Sequence, residues 1–387
     1  MAHKTPPPPP PAPPAARRLP GSGEATVPDT PNVPTGSFGI GVEVEFLLEP
    51  RDGTTAGGDI RGFSKSVASA YNEFLARYAP DKHPRMHNAI NESYLGPRFA
   101  EWSLDSDSTI DMPNKGQAPW GLESISPIFR AHKDSLWREH INFLWDFLSA
   151  NYRISANRSC GTHVHLSRSG GYTLSQLKKV CQSIIHFEPA FEALLPEERL
   201  SNEYARSNWL DNENFGHRNL TRKQTIAVIQ QASSMRELVL LMNPNHDKMF
   251  GWNFLYLLNS PNGTIEFRRG AASTSAQHVF VSIEIAMSFV EAAIRLGDLE
   301  RLGRVPATIG GLKWFIRAAK LPENVPGLYD SRYLDLLFSR KSENAFREPK
   351  PLGNLSASRL LKLKNKKEED KRKNLAMVKM LQEPYWS

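Results

Sequence analysis

Pairs of charged or imidazole side chains recur at a spacing of two residues in several short apolar segments of this chain. The first pair is Glu43 and Glu45, within FGIGVEVEFLL (38–48). Residues two apart on a strand point to the same side of a sheet, so both carboxylates share one side while Val42 and Val44 cover the other. Like charges on one side repel unless a cation or water separates them. Alone, this pair fits a solvent-exposed strand equally well.

The second pair is His163 and His165, in CGTHVHLS (160–167). The same strand geometry turns both imidazoles to one side, with Val164 and Leu166 packed behind them. Histidine is the most common metal ligand among titratable side chains, so this pair indicates a metal site more strongly than a lone histidine does. Before other motifs are considered, a metal site and a structural role are evenly balanced.

The third pair is Glu266 and Arg268, in GTIEFRRG (263–270), with Arg269 following. One interpretation is an ordinary ion pair, worth roughly 0–1 kcal/mol if it is exposed. The other is a metal ligand beside a guanidinium group that binds phosphate oxygens. Glu123, in the apolar stretch GLESISP, is a further carboxylate that a buried strand would not hold without a partner.

These motifs are far apart in sequence but chemically consistent with one another. Carboxylates, imidazoles and arginines together suit a hard divalent cation that carries a nucleotide triphosphate. The sequence therefore predicts Mg²⁺ or Mn²⁺, and an imidazole among the ligands favours Mn²⁺ slightly.

Strands and helices are interspersed along the chain, and the irregular segments between them differ from regular βαβ units. This pattern predicts an α+β fold with a mainly antiparallel sheet flanked by helices. The predicted strands cover 38–48, 98–105, 122–126, 160–166 and 264–269. The predicted helices cover 64–78, 128–150, 173–188, 277–296 and 357–373, with Thr173 as an N-cap and Pro189 bending or ending its helix.

Three regions differ in composition within the 387 residues. Residues 1–36 contain twelve prolines and predict a disordered arm, 37–340 a catalytic domain, and 341–387 a basic, partly helical tail. The net charge of +7 comes from the C-terminal tail, because residues 340–387 carry thirteen basic and six acidic groups. Since the central part is close to neutral, nucleic-acid binding by the core is not expected. The charge run at 357–373 is interpreted as a solvated helix face.

The two cysteines exclude a disulfide framework and a thiolate zinc cluster, which makes a reducing compartment the default. Neither a signal peptide nor a membrane-spanning apolar run is recognised, so we expect a cytoplasmic protein without membrane contact. The basic tail leaves nuclear import as an alternative.

Taken in order, FGIGVEVEF, EWSLDSDST, GLESISP, CGTHVHLS and GTIEFRRG resemble the motifs of the amidoligase family, in its fungal-type branch. The resemblance covers about residues 37–297. It implies a catalytic domain like that of glutamine synthetase, with a curved, mainly antiparallel sheet that holds ATP and two or three Mg²⁺ or Mn²⁺ ions. The implied activity joins a small-molecule or peptide carboxylate to an amine through an acyl phosphate. The oligomeric state is left open.

The resemblance also implies roles for individual residues. The metal ligands would be Glu43, Glu45, Glu123, His163 and Glu266. His165 would contact the phosphates of ATP, and Arg268 would bind ATP and stabilise the transferred phosphoryl group, with Arg269 a second catalytic candidate.

A polar segment would supply Arg206 and Asn208 as contacts to substrate or nucleotide. Asp107 is interpreted as a residue that holds its turn. Near Leu255 and Tyr256, many relatives carry an arginine that this chain lacks.

Two other functions stay open on the sequence. A ligase fold could be retained as a non-catalytic peptide- or nucleotide-binding protein, which the change near Tyr256 and the two tails would fit. A metal-dependent hydrolase could use the His163–His165 pair. No Gly-Lys dipeptide, complete dinucleotide fingerprint or GxSxG motif is present, so the corresponding P-loop, Rossmann and serine-hydrolase classes are excluded.

Overall fold

The computed structural model describes residues 33–53, 58–114, 116–258 and 263–382. Its strands are β1 Phe38–Pro50, β2 Met86–Asn88, β3 Trp102–Asp105, β4 Trp120–Ile125, β5 Phe129–Ala131, β6 Tyr152–Ser155, β7 Thr162–Arg168, β8 Trp252–Asn253 and β9 Ile265–Gly270. Its helices are α1 Ile60–Tyr78, α2 Trp137–Asn151, α3 Leu174–Leu194, α4 Arg222–Gln231, α5 Met235–Met242, α6 Ala276–Leu296, α7 Leu299–Leu302, α8 Ile309–Ala318, α9 Ser331–Phe338 and α10 Ala357–Gln382.

The strands form one open sheet around β1, which at 13 residues is long enough to pair with several partners. The strand order is β2-β3-β4-β1-β7-β9-β8, and β5 and β6 also pair with β1. The β2–β3 pair is parallel and the other pairs are antiparallel. The predicted α+β class, with a mainly antiparallel sheet and flanking helices, is therefore confirmed.

One face of the sheet packs on helices and forms the core. Val42, Val44 and Val164 are buried on this face because they alternate with the charged positions along β1 and β7. Aromatic side chains from α3, α6, β8 and β9 pack together beneath it: Phe191, Phe289, Trp252 and Phe267. This packing leaves the opposite face of the same strands free for polar side chains, and we call it the site face.

Local sequence signals account for the start of α3. The Thr173 side chain accepts a hydrogen bond from the Gln176 backbone N–H, and the Gln176 side chain accepts one from the Thr173 N–H. This capping box satisfies two backbone donors at the helix start, so the predicted N-cap is confirmed. Pro189 does not end the helix: it lies inside α3, which continues to Leu194.

Two further predictions needed correction. The helix predicted over 128–150 begins only at Trp137, because residues 129–131 form β5, which pairs with the first three residues of β1. The strand predicted over 98–105 is confined to 102–105. In both cases tertiary pairing, rather than local periodicity, decided the structure.

The structure describes only part of the predicted N-terminal arm and of the predicted C-terminal tail. Residues 1–32 of the predicted arm lie outside the described residues. Helix α10 occupies the predicted helical part of the tail. Among the helices of the described ranges, none has the length and apolar character needed to cross a membrane. The domain boundaries at 36/37 and 340/341 stay predictions.

Candidate functional site

The register of four neighbouring strands sets predicted site residues directly opposite one another. Three cross-strand pairs result: Glu45 with Glu123, Glu43 with His163, and His165 with Glu266. Residues opposite each other in an antiparallel sheet have Cβ atoms roughly 4.5–5.5 Å apart and point to the same face. Strands β4, β1, β7 and β9 thus gather six side chains onto the site face.

Their ligand atoms form three groups, and within each group the atoms lie within 4.8 Å of one another. The His165 group contains Glu43, His165 and Glu266; the central group contains Glu43, His163 and Glu123; the acidic group contains Glu45, Asp107 and Glu123. Glu43 and Glu123 each belong to two groups. The donors therefore form a continuous row across the sheet.

Glu43, which the His165 group and the central group share, contacts both imidazoles. The His163 Nδ1 and His165 Nε2 atoms each lie 3.2 Å from an oxygen of Glu43, and His165 Nε2 lies 3.7 Å from Glu266 Oε1. His165 Nε2 is buried and makes no well-aligned hydrogen bond, while its Nδ1 is 3.2 Å from the Thr264 hydroxyl. Burial opposes protonation of His165, but the Glu43 and Glu266 carboxylates outweigh it and raise the pKa of this imidazole. A cation bound between the same carboxylates would take the place of that proton.

Electrostatics keep the carboxylates of this group ionised. Burial alone would raise the pKa of Glu43, but the His165 and His163 imidazoles outweigh it and hold the pKa well below its usual range. Burial likewise opposes ionisation of Glu266, and the Arg268 guanidinium lowers the pKa of that carboxyl. Burial, together with Arg268, lowers the pKa of His163 to about 4, so this imidazole is neutral near pH 7. Neutral imidazole is the form that binds metals.

In the acidic group, by contrast, the pKa values of two glutamates are raised. Burial, together with the nearby Asp107 carboxylate, raises the pKa of Glu45 to about 8. Burial and the carboxylates of Glu43 and Asp107 raise the pKa of Glu123 well above normal. The Gly161 backbone N–H donates to Glu45 Oε2 at 2.6 Å. Besides the Gly161 donor, the acidic group has the Lys366 ammonium, which lies 2.8 Å from Asp107 Oδ2, so its negative charge is partly compensated within the chain.

Asp107 is the ligand candidate that the sequence interpretation missed. Its Oδ1 atom accepts hydrogen bonds from the backbone N–H and hydroxyl of Thr109, both at 2.7 Å, as its predicted turn role requires. It also belongs to the acidic group. The available signal was its position two residues after Asp105, which lies opposite Glu123 in the β3–β4 pair.

Arg268 lies beside Glu266 on the site face and forms a close ion pair with it. The Arg268 Nε–H donates to the Tyr204 carbonyl at 3.1 Å, which fixes the guanidinium plane. Asn253, on β8 directly opposite Glu266, donates from Nδ2 to Glu266 Oε2 at 2.7 Å. Asn253 is therefore a positioning residue of this site.

Arg269 does not join the three groups. It points to the opposite side of β9, where its NH1 lies 2.6 Å from Glu192 and its NH2 lies 3.4 Å from Glu188, both on α3. Because adjacent residues on a strand face opposite ways, Arg268 and Arg269 cannot both reach the row of ligand groups. The predicted catalytic role of Arg269 has no geometric support here.

The two predicted substrate contacts also lie away from the ligand groups. Asn208 is buried, and its amide is occupied by the backbone of Trp252, donating to the carbonyl and accepting from the N–H, each at 2.8 Å. Arg206 pairs with Asp247, stacks on the Phe250 ring and lines a separate cavity of about 270 Å³. Tyr256, near the departure from the family pattern, has its ring 5.4 Å from that of His165.

The donor set on the site face fits divalent cations such as Mg²⁺ or Mn²⁺. Carboxylate oxygens predominate, as hard cations prefer, and the two imidazoles are acceptable to Mn²⁺. Two observations support this fit: the ligand atoms of each group lie within 4.8 Å of one another, and the buried His165 Nε2 lies between the carboxylates of Glu43 and Glu266.

Comparison with known proteins gives the family. Residues 37–290 match the family model described as "Putative amidoligase enzyme", which is more than half of the chain. The chain belongs to the amidoligase family, and a ligase function in general follows from that membership. No curated protein matches the chain significantly.

One solved structure similar to this chain is described as "Crystal structure of novel glutamine synthase homolog". The similarity covers 80% of this chain and 69% of that one, with 14% identity and a TM-score of 0.32. A likeness of that size carries no argument about the chemistry of this chain.

Proposed function

We propose that this protein is an ATP-dependent carboxylate–amine ligase that works through an acyl phosphate. The observation that carries the proposal is the row of three ligand groups, linked by Glu43 and Glu123. Arg268 lies at the end of the row formed by the His165 group. Family membership supports a ligase in general, and the row supplies the cation sites that a triphosphate needs.

The candidate ligands of the bound ions are Glu43, Glu45, Glu123, His163, His165 and Glu266, and Asp107 joins Glu45 and Glu123 in the acidic group. When bound, divalent ions neutralise phosphate charge and align the triphosphate for in-line transfer. His165 faces the shared space of this row, so the predicted contact with ATP phosphates and a ligand role are both within its reach.

The reaction balances in two steps. A carboxylate oxygen of the acid attacks the γ-phosphorus, the bond from that phosphorus to the β–γ bridging oxygen breaks, and ADP leaves. The amine nitrogen then attacks the acyl carbon, inorganic phosphate leaves with the bonding electrons, and the amine loses a proton. Arg268 stabilises the charge on the transferred phosphoryl group, since a planar guanidinium pairs with two oxygens at once.

The test combines turnover with isotope transfer. Wild-type protein is incubated with ATP, Mn²⁺ or Mg²⁺, an amine pool and acids labelled with ¹⁸O in the carboxylate. We expect ADP formation that depends on both acid and amine, with one ¹⁸O atom appearing in the released phosphate. ADP formation without ¹⁸O transfer would exclude the acyl phosphate.

Two glutamates of β1 provide a matched pair of variants. Glu43→Gln removes a carboxylate shared by two ligand groups and should abolish turnover, whereas Glu49→Gln changes a half-exposed residue six positions later and should not. Equal activity of both variants contradicts the proposed site.

The remaining functions predict other outcomes. Nucleotide binding with no product from any acid and amine pool would indicate a binding protein. Hydrolysis without ATP, together with bound zinc by elemental analysis, would indicate a metal-dependent hydrolase. Either result replaces the ligase proposal.

A further inference from the structure

The C-terminal helix α10 docks beside the site face through charged side chains. Four ion pairs fasten it to three separate segments of the chain: Arg359 with Glu203, Lys362 with Asp111, Lys367 with Asp247, and Asp370 with Lys248. The interpretation of its charge run as a solvated face is therefore wrong for this side of the helix. Its docking also brings one further lysine to the ligand groups.

That residue is Lys366. It is 6% exposed and is the buried residue among the α10 side chains described, 357–372. Its Nζ atom lies 2.8 Å from Asp107 Oδ2 and 3.6 Å from Asp370 Oδ1. Asp107 shares the acidic group with Glu45 and Glu123. The ammonium group therefore contacts the one ligand group that has no histidine.

A buried lysine needs a compensating anion, and the acidic group needs a cation. The two requirements meet in one contact, because Asp107 offers Oδ2 to Lys366 while Thr109 occupies its Oδ1. The neighbouring lysines of the helix behave differently: Lys362 and Lys367 are about half exposed and pair with carboxylates outside the ligand groups.

We propose that Lys366 is the built-in cation of the acidic group. Divalent ions then bind at the His165 group and the central group, and the lysine replaces a third ion. This inference rests on the proposed function, since it concerns how many ions that site holds. An ammonium group balances charge but offers no open coordination position for a phosphate oxygen. The acidic group then stabilises the docked helix, while the other two groups receive the triphosphate.

The experiment counts Mn²⁺ ions bound to full-length protein. Wild type, Lys366→Met and Lys367→Met are dialysed to equilibrium against rising Mn²⁺, and bound manganese is measured by elemental analysis. Methionine keeps an unbranched apolar stem of similar length but has no charge. Lys367→Met is the matched control because it lies next in the helix, and Asp247 keeps Arg206 as a partner.

We expect two bound ions in the wild type and in Lys367→Met, and three in Lys366→Met. A melting-temperature series gives a second readout should Lys366→Met fold poorly without metal. Mn²⁺ should raise the melting temperature of Lys366→Met more than that of the wild type, since the additional ion binds only the folded state.

Equal ion counts and equal melting shifts in all three proteins would overturn this inference and leave the proposed function standing. A third ion in Lys367→Met as well would also overturn it, because the effect would then follow from weaker helix docking. Absence of Mn²⁺ binding by all three proteins would overturn the proposed function together with this inference.

Discussion

Arg268 and Arg269 are adjacent, each is 5% exposed, and each pairs with glutamate, yet they lie on opposite faces of β9. Arg269 meets two glutamates from one helix, and Glu188 also accepts from the Ser207 hydroxyl and the Asn208 N–H. This network joins α3 to the sheet and the following segment. It is a structural connection between elements.

On the other face, Arg268 pairs with Glu266 of its own strand and lies within electrostatic range of Glu43 and Glu45 on β1. Its partner Glu266 belongs to a ligand group in which the His165 nitrogen makes no well-aligned hydrogen bond. Burial and ion pairing are thus common to both arginines. What distinguishes the site face is convergence of carboxylates and imidazoles from β4, β1, β7 and β9, with ligand atoms left available.

The largest expected difference between the faces is in catalysis. Arg268→Ala should lower turnover by about 10³-fold or more, a typical loss when an arginine that stabilises transferring phosphate is removed. Arg269→Lys should change it only a few-fold, which tests directly the sequence prediction that Arg269 is catalytic. ADP release measured on folded protein decides, and equal losses would remove the distinction between the two faces.

Stability should show the reverse order. Arg269→Met leaves Glu188 and Glu192 buried without their cation, which should lower the free energy of unfolding by about 3–5 kcal/mol. Urea denaturation monitored by tryptophan fluorescence measures this loss. A loss below about 1 kcal/mol would mean that the contacts of Arg269 with Glu188 and Glu192 do not stabilise the fold.

Mn²⁺ affinity should depend on the glutamate that pairs with Arg268 and not on a glutamate that pairs with Arg269. Glu266→Gln should weaken Mn²⁺ binding by roughly 10–100-fold, because an amide is a poorer ligand than a carboxylate. Glu192→Gln, which alters the partner of Arg269, should leave Mn²⁺ affinity unchanged. Calorimetric titration of both variants would sharpen the comparison, and equal weakening contradicts it.

The smallest effect concerns pH. Burial, opposed in part by Arg269, raises the pKa of Glu188 to about 7 from an ordinary value of 4.5. The folded state thus binds more protons than the unfolded state, and this contribution to stability is complete below about pH 4.5 and lost as pH rises through 7. Relative to Glu188→Gln, wild-type unfolding free energy should fall by on the order of 1–3 kcal/mol across that range. Parallel curves would show that Glu188 does not titrate there.

Much of the fold could be predicted locally. The alternation in 38–48 and 160–166 predicted β1 and β7 because strand periodicity needs no knowledge of partners. Residues 129–131 could not be assigned this way, since their strand exists only through pairing with β1. The end of α3 could not be predicted from Pro189 either, since the helix continues past it to Leu194.

In the candidate site, too, local patterns identified some residues and tertiary contacts identified others. Glu43 and His163 were recognised from residue type and spacing, and the cross-strand register then brought them together. Lys366 could not be found in this way, because it acts through a contact with Asp107, a residue distant in sequence. Asn208 resembled a ligand contact, but its amide is used by backbone hydrogen bonds.

By itself, then, the sequence determined which side chains share a strand face, since alternation is a local property of the backbone. It also determined the mixture of carboxylates, imidazoles and arginines from which the chemistry follows. The tertiary structure decided which strands are neighbours, which of two adjacent arginines meets the ligand groups, and that a lysine from the C-terminal helix reaches them. Those contacts depend on register and packing between distant segments, which no local pattern of residues encodes.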